Sequence, residues 1–558
     1  MTMATTCNGN SFTGGVQINY GSESNQGRLQ LGSAQPFGAN AGQANIYGTL
    51  DMNGYSQRFN GLYNNGDKGS IYNNSTTLST LTIDTTGKNL TFQSSIKGNI
   101  ALDITGTGTQ TLSKAPEYTG ATTVESGTLA LSAGGKLNDL SGAGTVNYGA
   151  NNLTLKNTVD TTFSGSISGS GDLRFGNNEN DAWIVMDTTC DVTGKIRIFY
   201  DNASQGALQG RVRLGRNNAF GLNVGQADVY GTLDMNGYSQ TFKGLYSDAD
   251  KGPIYNNTES LSSLTIDTTG KNLTFKSSVK GNIALVITGT GTQTLDKAPE
   301  YTGSTTIESG TLVLSNGGEL FNLSGGSLDD DGNVVAALDA SAHDLTLTNS
   351  QLSKFIGSIF ATGKQIEKQG DGTLQIYTGA NGKVDAQSLV VSSGNLDFKG
   401  YMTGGITVNP DTVFSPGNSV GEATFGGGYI LKEDATLLIE QDATGMDKLT
   451  ADTFTIDEKS VLDLSFSSVQ PGATYPILVQ GAYNENDEFV SRNFDGALAT
   501  DDFWNGLLSE DDAYFWNLKV EGDTVYATLD SNAVPEPSTW ALLVLGVAGL
   551  MYWRKRRN

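Results

Sequence analysis

Residues 106–131 read GTGTQTLSKAPEYTGATTVESGTLAL, and residues 289–314 read GTGTQTLDKAPEYTGSTTIESGTLVL. The same words recur 183 positions apart, and the match extends without a gap from Gly27–Gly142 to Gly210–Gly325. GTLDMNGYSQ begins at Gly48 and Gly231, LTIDTTGKNLTF at Leu81 and Leu264, and KGNIAL at Lys97 and Lys280. Similarity this dense over more than a hundred residues marks a tandem duplication. Within each copy, Leu81–Ile83, Leu90–Phe92, Ile100–Ile104, Thr109–Leu112 and Leu129–Leu131 alternate large apolar with small polar side chains. They recur about every 8–12 residues, with Gly, Asn, Asp or Thr between them, which is the spacing of short strands. Spacing alone leaves sandwich, barrel and solenoid open. Tandem copies without long crossovers favour a solenoid, in which each layer touches only its neighbours.

Composition agrees with a thin, repetitive core. Glycine supplies 72 of the 558 residues and hydrophobic residues only 37%, against a usual glycine share of about 7%. The 58 acids outnumber 34 Lys and Arg, for a net charge of −24. That charge opposes nucleic acid and anionic lipid as partners; divalent cations can bridge such a surface to extracellular anionic polysaccharide, but a solvated, self-repelling surface is the favoured reading. Cys7 and Cys190 occupy equivalent repeat positions, so stacking separates them beyond disulfide reach and leaves them as small buried hydrophobes.

The cassette resembles the autotransporter-associated β-strand repeat, whose pattern is Tyr-Thr-Gly, a Thr-Thr pair, and Gly-Thr-Leu before an alternating strand. A more worn third version runs from Gly370 through GTLQIYTG to Ser392–Phe398. The block Phe414–Gln441 is similar to the segment with which such passengers approach their end. The resemblance implies an all-β, right-handed parallel β-helix exposed at the cell surface. No membrane β-barrel pattern follows, so a sorting tail is expected in place of self-transport.

That tail begins with Val534, Pro535, Glu536 and Pro537. An uncharged run from Trp540 to Trp553 follows, including Leu542, Leu543, Val544, Leu545 and Leu550, and then Arg554, Lys555, Arg556 and Arg557. At about 1.5 Å per residue the run makes roughly 21 Å of helix against roughly 30 Å of hydrocarbon, a marginal span on length alone. Aromatic residues at both rims and a basic terminus favour a transmembrane helix with its cytoplasmic end at the cations. The order of motif, helix and cations resembles the PEP-CTERM sorting signal. This implies processing at Pro-Glu-Pro by an exosortase-type enzyme in a Gram-negative bacterium, with transit through the inner membrane to the cell surface or extracellular matrix. Met3 aligns with Met186, so Met1 falls inside a repeat, and the expectation is that further repeats and a signal peptide lie upstream.

The expected division is residues 1–187 for the first repeat copy and 188–328 for the second. Degenerate repeats then occupy 329–436, a β cap 437–531 and the sorting tail 532–558. No helix is expected before the tail. In the cap, Leu518 and Val520 lead through Glu521-Gly522-Asp523 into Val525, Ala527 and Leu529 as a hairpin. Asp501, Asp502, Glu510, Asp511 and Asp512, beside Trp504 and Trp516, suit a cap that blocks edge pairing.

Signatures of catalysis are weak. The one histidine, His343, has no nucleophile-elbow pattern around it. Asp329, Asp330, Asp331, Gly332 and Asn333 misplace the glycine and distal glutamate of a calcium loop and read as a solvated turn. Asp84 with Lys88, and Asp267 with Lys271, belong to a strand-turn-strand reading in which Asp and Gly serve the bend. No cofactor is expected. The sequence thus predicts a non-enzymatic, adhesin-like surface or matrix protein. The alternatives are a polysaccharide-processing enzyme, which needs three or more carboxylates and a cation in one groove, and a carbohydrate binder using Tyr55, Tyr63, Tyr72 and their counterparts Tyr238, Tyr246 and Tyr255.

Overall fold

The computed structural model describes residues 2–3, 12–19, 27–176, 181–201, 208–417, 420–442, 445–466, 472–483, 489–508 and 516–529. They form an all-β solenoid of right-handed type, divided into two compact units. The first comprises Met1–Thr306 with Gly310–Asn316, and the second Ile307–Ser309 with Gly317–Asn558.

In the first unit, strands from successive coils pair in parallel, and a coil closes about every 20 residues, as a solenoid requires. The alternation read from the sequence sets the inside and outside. Ser79–Asp84 is buried at every second residue. Its Leu81 and Ile83 lie under Leu102 and Ile104 of the next coil. Phe92, Leu112 and Leu131 make a second ladder, and Leu50, Ile71 and Ile96 a third. Each such side chain is almost wholly buried, which stabilises by about 1.5–3 kcal/mol apiece. The coils are thin, so the ladders are the core.

The duplication survives in the register. Ser79 faces Ile100 as Ser262 faces Ile283, and Asn89 faces Thr109 as Asn272 faces Thr292. At the corners, the Asn73 amide donates to the carbonyls of Thr77 and Asn99 at 2.8 and 2.7 Å. Asn256 does the same to Ser260 and Asn282 at 2.7 and 2.8 Å. One antiparallel excursion, Tyr200–Asp201 against Leu208–Gln209, interrupts the coils.

The second unit continues parallel pairing within itself from Gly318–Ser324 to Thr474–Tyr483. Its interior is aromatic towards the end. Phe398, Phe414, Phe425, Tyr429, Phe454, Phe494 and Trp504 form a chain of ring contacts with centroids 5.4–6.4 Å apart, a spacing that adds to their burial. The ladder is closed by an antiparallel cap, in which Thr474–Tyr483 pairs with Thr524–Leu529, and that strand with Trp516–Glu521. The hairpin expected at Leu518–Leu529 is present, with Val520 opposite Val525 and a turn at Gly522, whose φ is +66°.

The cap corrects one expectation. Asp501–Gly506 is an α-helix, preceded by a 3-10 turn at Gly496–Ala499. Thr500 caps its first turn, and Asp501 and Asp502 sit at the positive end of its dipole. The helix buries Trp504, whose indole N–H donates to Leu498 O at 2.8 Å. Two side chains of the helix complete the free edge of Trp516–Glu521. Asn505 donates to Leu518 O and accepts from Leu518 N, both at 2.8 Å, and Asp501 accepts from Val520 N at 2.7 Å. A side-chain imitation of a further strand covers this edge at Leu518 and Val520, where the sequence suggested acids beside Trp504 and Trp516.

Candidate functional site

The cassette residues that carry the family resemblance are used inside the coil. Gln110, wholly buried, accepts from Leu62 N at 2.9 Å and donates to Leu62 O at 3.1 Å and Leu90 O at 3.3 Å. Gln293 repeats the set at Leu245 and Leu273 with the same distances. One amide therefore staples three coils. Tyr118 and Tyr301 are buried, with their hydroxyls 2.9 Å from those of Thr122 and Thr305. Burial pushes both phenols up, so they stay neutral. The second glycine of GTGT, Gly108 or Gly291, lies against the carbonyl of Lys88 or Lys271, where a Cβ would collide with backbone. These residues hold coils together and present nothing to a ligand.

Other sequence candidates resolve into turns. Asp84 accepts from Thr86 N at 2.9 Å and from Arg58 at 2.8 Å, while Lys88 donates to Asn60 O at 3.0 Å. Asp329 accepts from Asp331 N at 3.0 Å and Asn333 N at 2.8 Å, closing its own loop. His343 is exposed on a turn. Tyr55 is exposed, whereas Tyr63, Tyr72, Tyr238, Tyr246 and Tyr255 are half-buried. Cys190 is a free buried thiol, pushed up to about 12 by burial. Cys7 lies outside the described residues. So do Glu510, Asp511, Asp512, the Pro535-Glu536-Pro537 motif, the run Trp540–Trp553 and the cations Arg554–Arg557. Among the described residues no helix is long and apolar enough to cross a membrane.

The structure does assemble a polar cleft in the second unit. Stacking puts Lys354, Gln375 and Asp397 in one outward column and Tyr377 beside Lys399 in the next. Together with Ile376 and Gly417 they line a cavity of about 130 Å³. The Gln375 amide donates to Asp397 at 2.9 Å, and the Lys399 ammonium lies 5.6 Å from the Tyr377 ring centroid, within cation–π range. Burial, with Glu440 adding repulsion, lifts the Asp397 carboxyl to about 6. A shallower hollow of about 480 Å³, lined by Gly379, Gly400, Tyr401, Glu422 and Thr424, occupies the same unit. Each hollow has one carboxylate among its described lining. Among the described residues no group of three or more His, Cys, Asp or Glu is placed to hold a metal ion. The carboxylate cluster required by the processing alternative is not found there.

The raised Asp397 pKa fixes a pH dependence. The folded state holds this proton more tightly than the unfolded chain, so the carboxylate costs stability as pH rises from about 4 to about 6. Asp397→Asn is therefore expected to gain in urea midpoint relative to wild type between pH 4 and pH 7. A constant difference across that range counts against it.

Among the buried ionisable groups that the sequence does not announce are Lys368 and Asp447. Lys368 is wholly buried, and its ammonium donates to Gly370 O, Gly372 O and Ser393 O at 2.6, 2.6 and 2.7 Å. Asp447, also buried, accepts from Gly421 N at 2.6 Å and Glu440 N at 2.9 Å and is lifted by burial to about 7. Both close backbone corners. The available signal for Lys368 was parity, since it shares the inward phase of Ile366 along its strand.

Comparison with known proteins meets both resemblances. Residues 533–557 match the PEP-CTERM protein-sorting motif, and residues 105–131 and 285–314 match the Passenger-associated-transport-repeat. Among curated proteins, the Adhesin BmaC autotransporter of Brucella suis biovar 1 (strain 1330) is 29% identical over 270 residues, covering 48% of this chain. The chain spans 7% of that relative's length.

Proposed function

We propose that this chain is a non-enzymatic, adhesin-like surface passenger of a Gram-negative bacterium, exported through the inner membrane to the cell surface or extracellular matrix. An exosortase-type enzyme processes it at Pro535-Glu536-Pro537, while Trp540–Trp553 holds it in the membrane and Arg554–Arg557 remain cytoplasmic. The observation that carries this reading is the coexistence in one chain of the sorting motif and two passenger repeats. Similarity to an adhesin autotransporter supports it. The fold agrees, because the most regular part of the sequence is spent on coil-to-coil contacts. In functional terms residues 1–187, 188–328 and 329–436 are successive lengths of the passenger, 437–531 its cap and 532–558 its removable tail.

In the native host, deletion of residues 533–557 is expected to abolish display at the surface, and Glu536→Ala to leave unprocessed chain in the membrane fraction. Undiminished surface antigen in both variants overturns the reading. A second reading, polysaccharide binding on the same scaffold, has the Asp397 cleft in its favour, whereas processing would need more carboxylates than this cleft's lining holds. Release of reducing ends from a polysaccharide, lost in Asp397→Asn, would establish processing.

A further inference from the structure

The two copies of the duplication share a backbone but differ in charge at one corner. In the first copy, Lys88 donates to Asn60 O at 3.0 Å. In the second, Lys271 donates to Lys243 O at 2.7 Å, so the hydrogen bond is kept and a second ammonium added. The bridge between Ser247 and Phe275 sets the register. Counting back four residues on each side places Lys243 opposite Lys271 on adjacent coils. Lys195 lies two coils earlier and one position along, level with Gly244, since it precedes Ile196, which faces Ala227, which in turn faces Leu245. Its counterpart in the first copy is Phe12.

Neighbouring acids are already engaged. Asp228, only 5% exposed, takes Lys195 at 3.7 Å and Arg197 at 3.5 Å. Asp172 takes Arg197 at 2.8 Å and Arg174 at 3.2 Å. Asp267 accepts from Thr269 N at 2.9 Å, and its carboxyl is lowered first by Thr269 and further by the attraction of Lys243 and Lys271. Lys243 is exposed, and Lys195 and Lys271 are half-exposed. Burial, followed by repulsion from Lys195 and Lys243 and partly offset by Asp267 and Asp228, holds the Lys271 ammonium below the usual lysine range. Three cations are thus crowded on one corner of a chain whose net charge is −24. Such crowding costs free energy that a bound anion would return.

Two rings adjoin the corner. Tyr230 and Tyr246 meet edge-on at 6.5 Å, and Tyr246 faces Asp228 in the sheet. Aromatic faces beside spaced cations suit sugar rings bearing acidic groups. A long nucleic acid carries one charge per about 1.7 Å, far denser than these spaced cations, and the net negative charge of the chain opposes it. We propose that Lys195, Lys243 and Lys271, with Tyr230 and Tyr246, form a binding face for an acidic polysaccharide, carboxylated or sulfated. This deepens the surface-passenger reading on which it rests by naming the class of partner.

The duplication supplies the test, because each copy shows which residue the other tolerates. The full chain is titrated with polygalacturonate, dextran sulfate, neutral dextran and double-stranded DNA. Binding to one or both acidic polysaccharides, weakening with salt and absent for dextran, is expected. Lys243→Asn, which installs the first-copy residue, should weaken it about tenfold, and Asn60→Lys should strengthen it about threefold. Affinity for both acidic polysaccharides unchanged in both variants overturns the proposal, as does tighter binding to DNA than to either. A chain that reaches the surface yet binds neither acidic polysaccharide overturns this proposal alone. A chain that binds them but is never displayed overturns only the surface reading.

Discussion

Gln110→Leu is expected to lower local stability by about 2–4 kcal/mol, and Gln293→Leu by the same amount. The buried amide of Leu62 and its carbonyl both end on the Gln110 side chain, as those of Leu245 end on Gln293. Leucine fills the volume but leaves a buried donor and acceptor unmatched, at about 1–3 kcal/mol each, against a modest gain in apolar burial. Because coils of a solenoid open locally, a single global midpoint blurs the effect. Hydrogen exchange at Leu62 and Leu245 is the sharper measurement. Each variant should deprotect its own site and spare the other, and the double variant should add the two effects, since they share no partner. Native protection at Leu62 in Gln110→Leu would mean the glutamine is a passive filler.

The cassette made most of the fold legible because its meaning is local. Leu81, Ile83, Leu102 and Ile104 announce an inward phase, the turn residues announce corners, and the repeat length announces stacking. The final hairpin was readable for the same reason, with Val520 and Val525 flanking a Gly522-Asp523 turn. What stayed hidden depends on partners a whole coil or more away. Asp501 and Asn505 look like a solvated acidic stretch until Leu518 and Val520 are beside them, and Gln110 looks like a surface amide until Leu62, two coils earlier, is above it. Lys243 gains its interest only from Lys195 and Lys271. The sorting motif was readable from order alone, since it is an address read by another protein and needs no tertiary context.

The stretch from Gly370 to Phe398, which we propose is a worn third cassette, keeps the parallel coil while its pattern changes. Aligned on Gly370 and Gly106, it places Leu374 where the intact copies have Gln110 and Gln293, and Lys368 where they have Ile104 and Ile287. The stapling amide has gone, and an ammonium has entered an otherwise aliphatic ladder between Leu347 and Val391. It spans to the next coil through Ser393 O as well as holding Gly370 O and Gly372 O. One polar staple has been exchanged for another.

Lys368→Met is therefore expected to cost about 2–3 kcal/mol at pH 7. Asn395 N still reaches Gly372 O at 3.3 Å, so two carbonyls, those of Gly370 and Ser393, lose this donor at about 1–3 kcal/mol each. Relief from burying a charge returns part of that. The pH dependence separates the two contributions. Burial pulls the Lys368 ammonium down to about 8, with Asp371 opposing the shift, while an unfolded lysine titrates near 10.4. Below pH 8 both states carry the proton and the gap between wild type and variant is flat. Between about 8 and 10.4 the folded state releases a proton that the unfolded chain keeps, so wild-type stability rises and the gap widens. Urea midpoints of the two proteins at pH 7, 8, 9 and 10 measure it. A gap that stays flat from pH 7 to pH 10 would mean the three carbonyls bind the ammonium at least as strongly as burial penalises it, and that the charge itself holds this corner together.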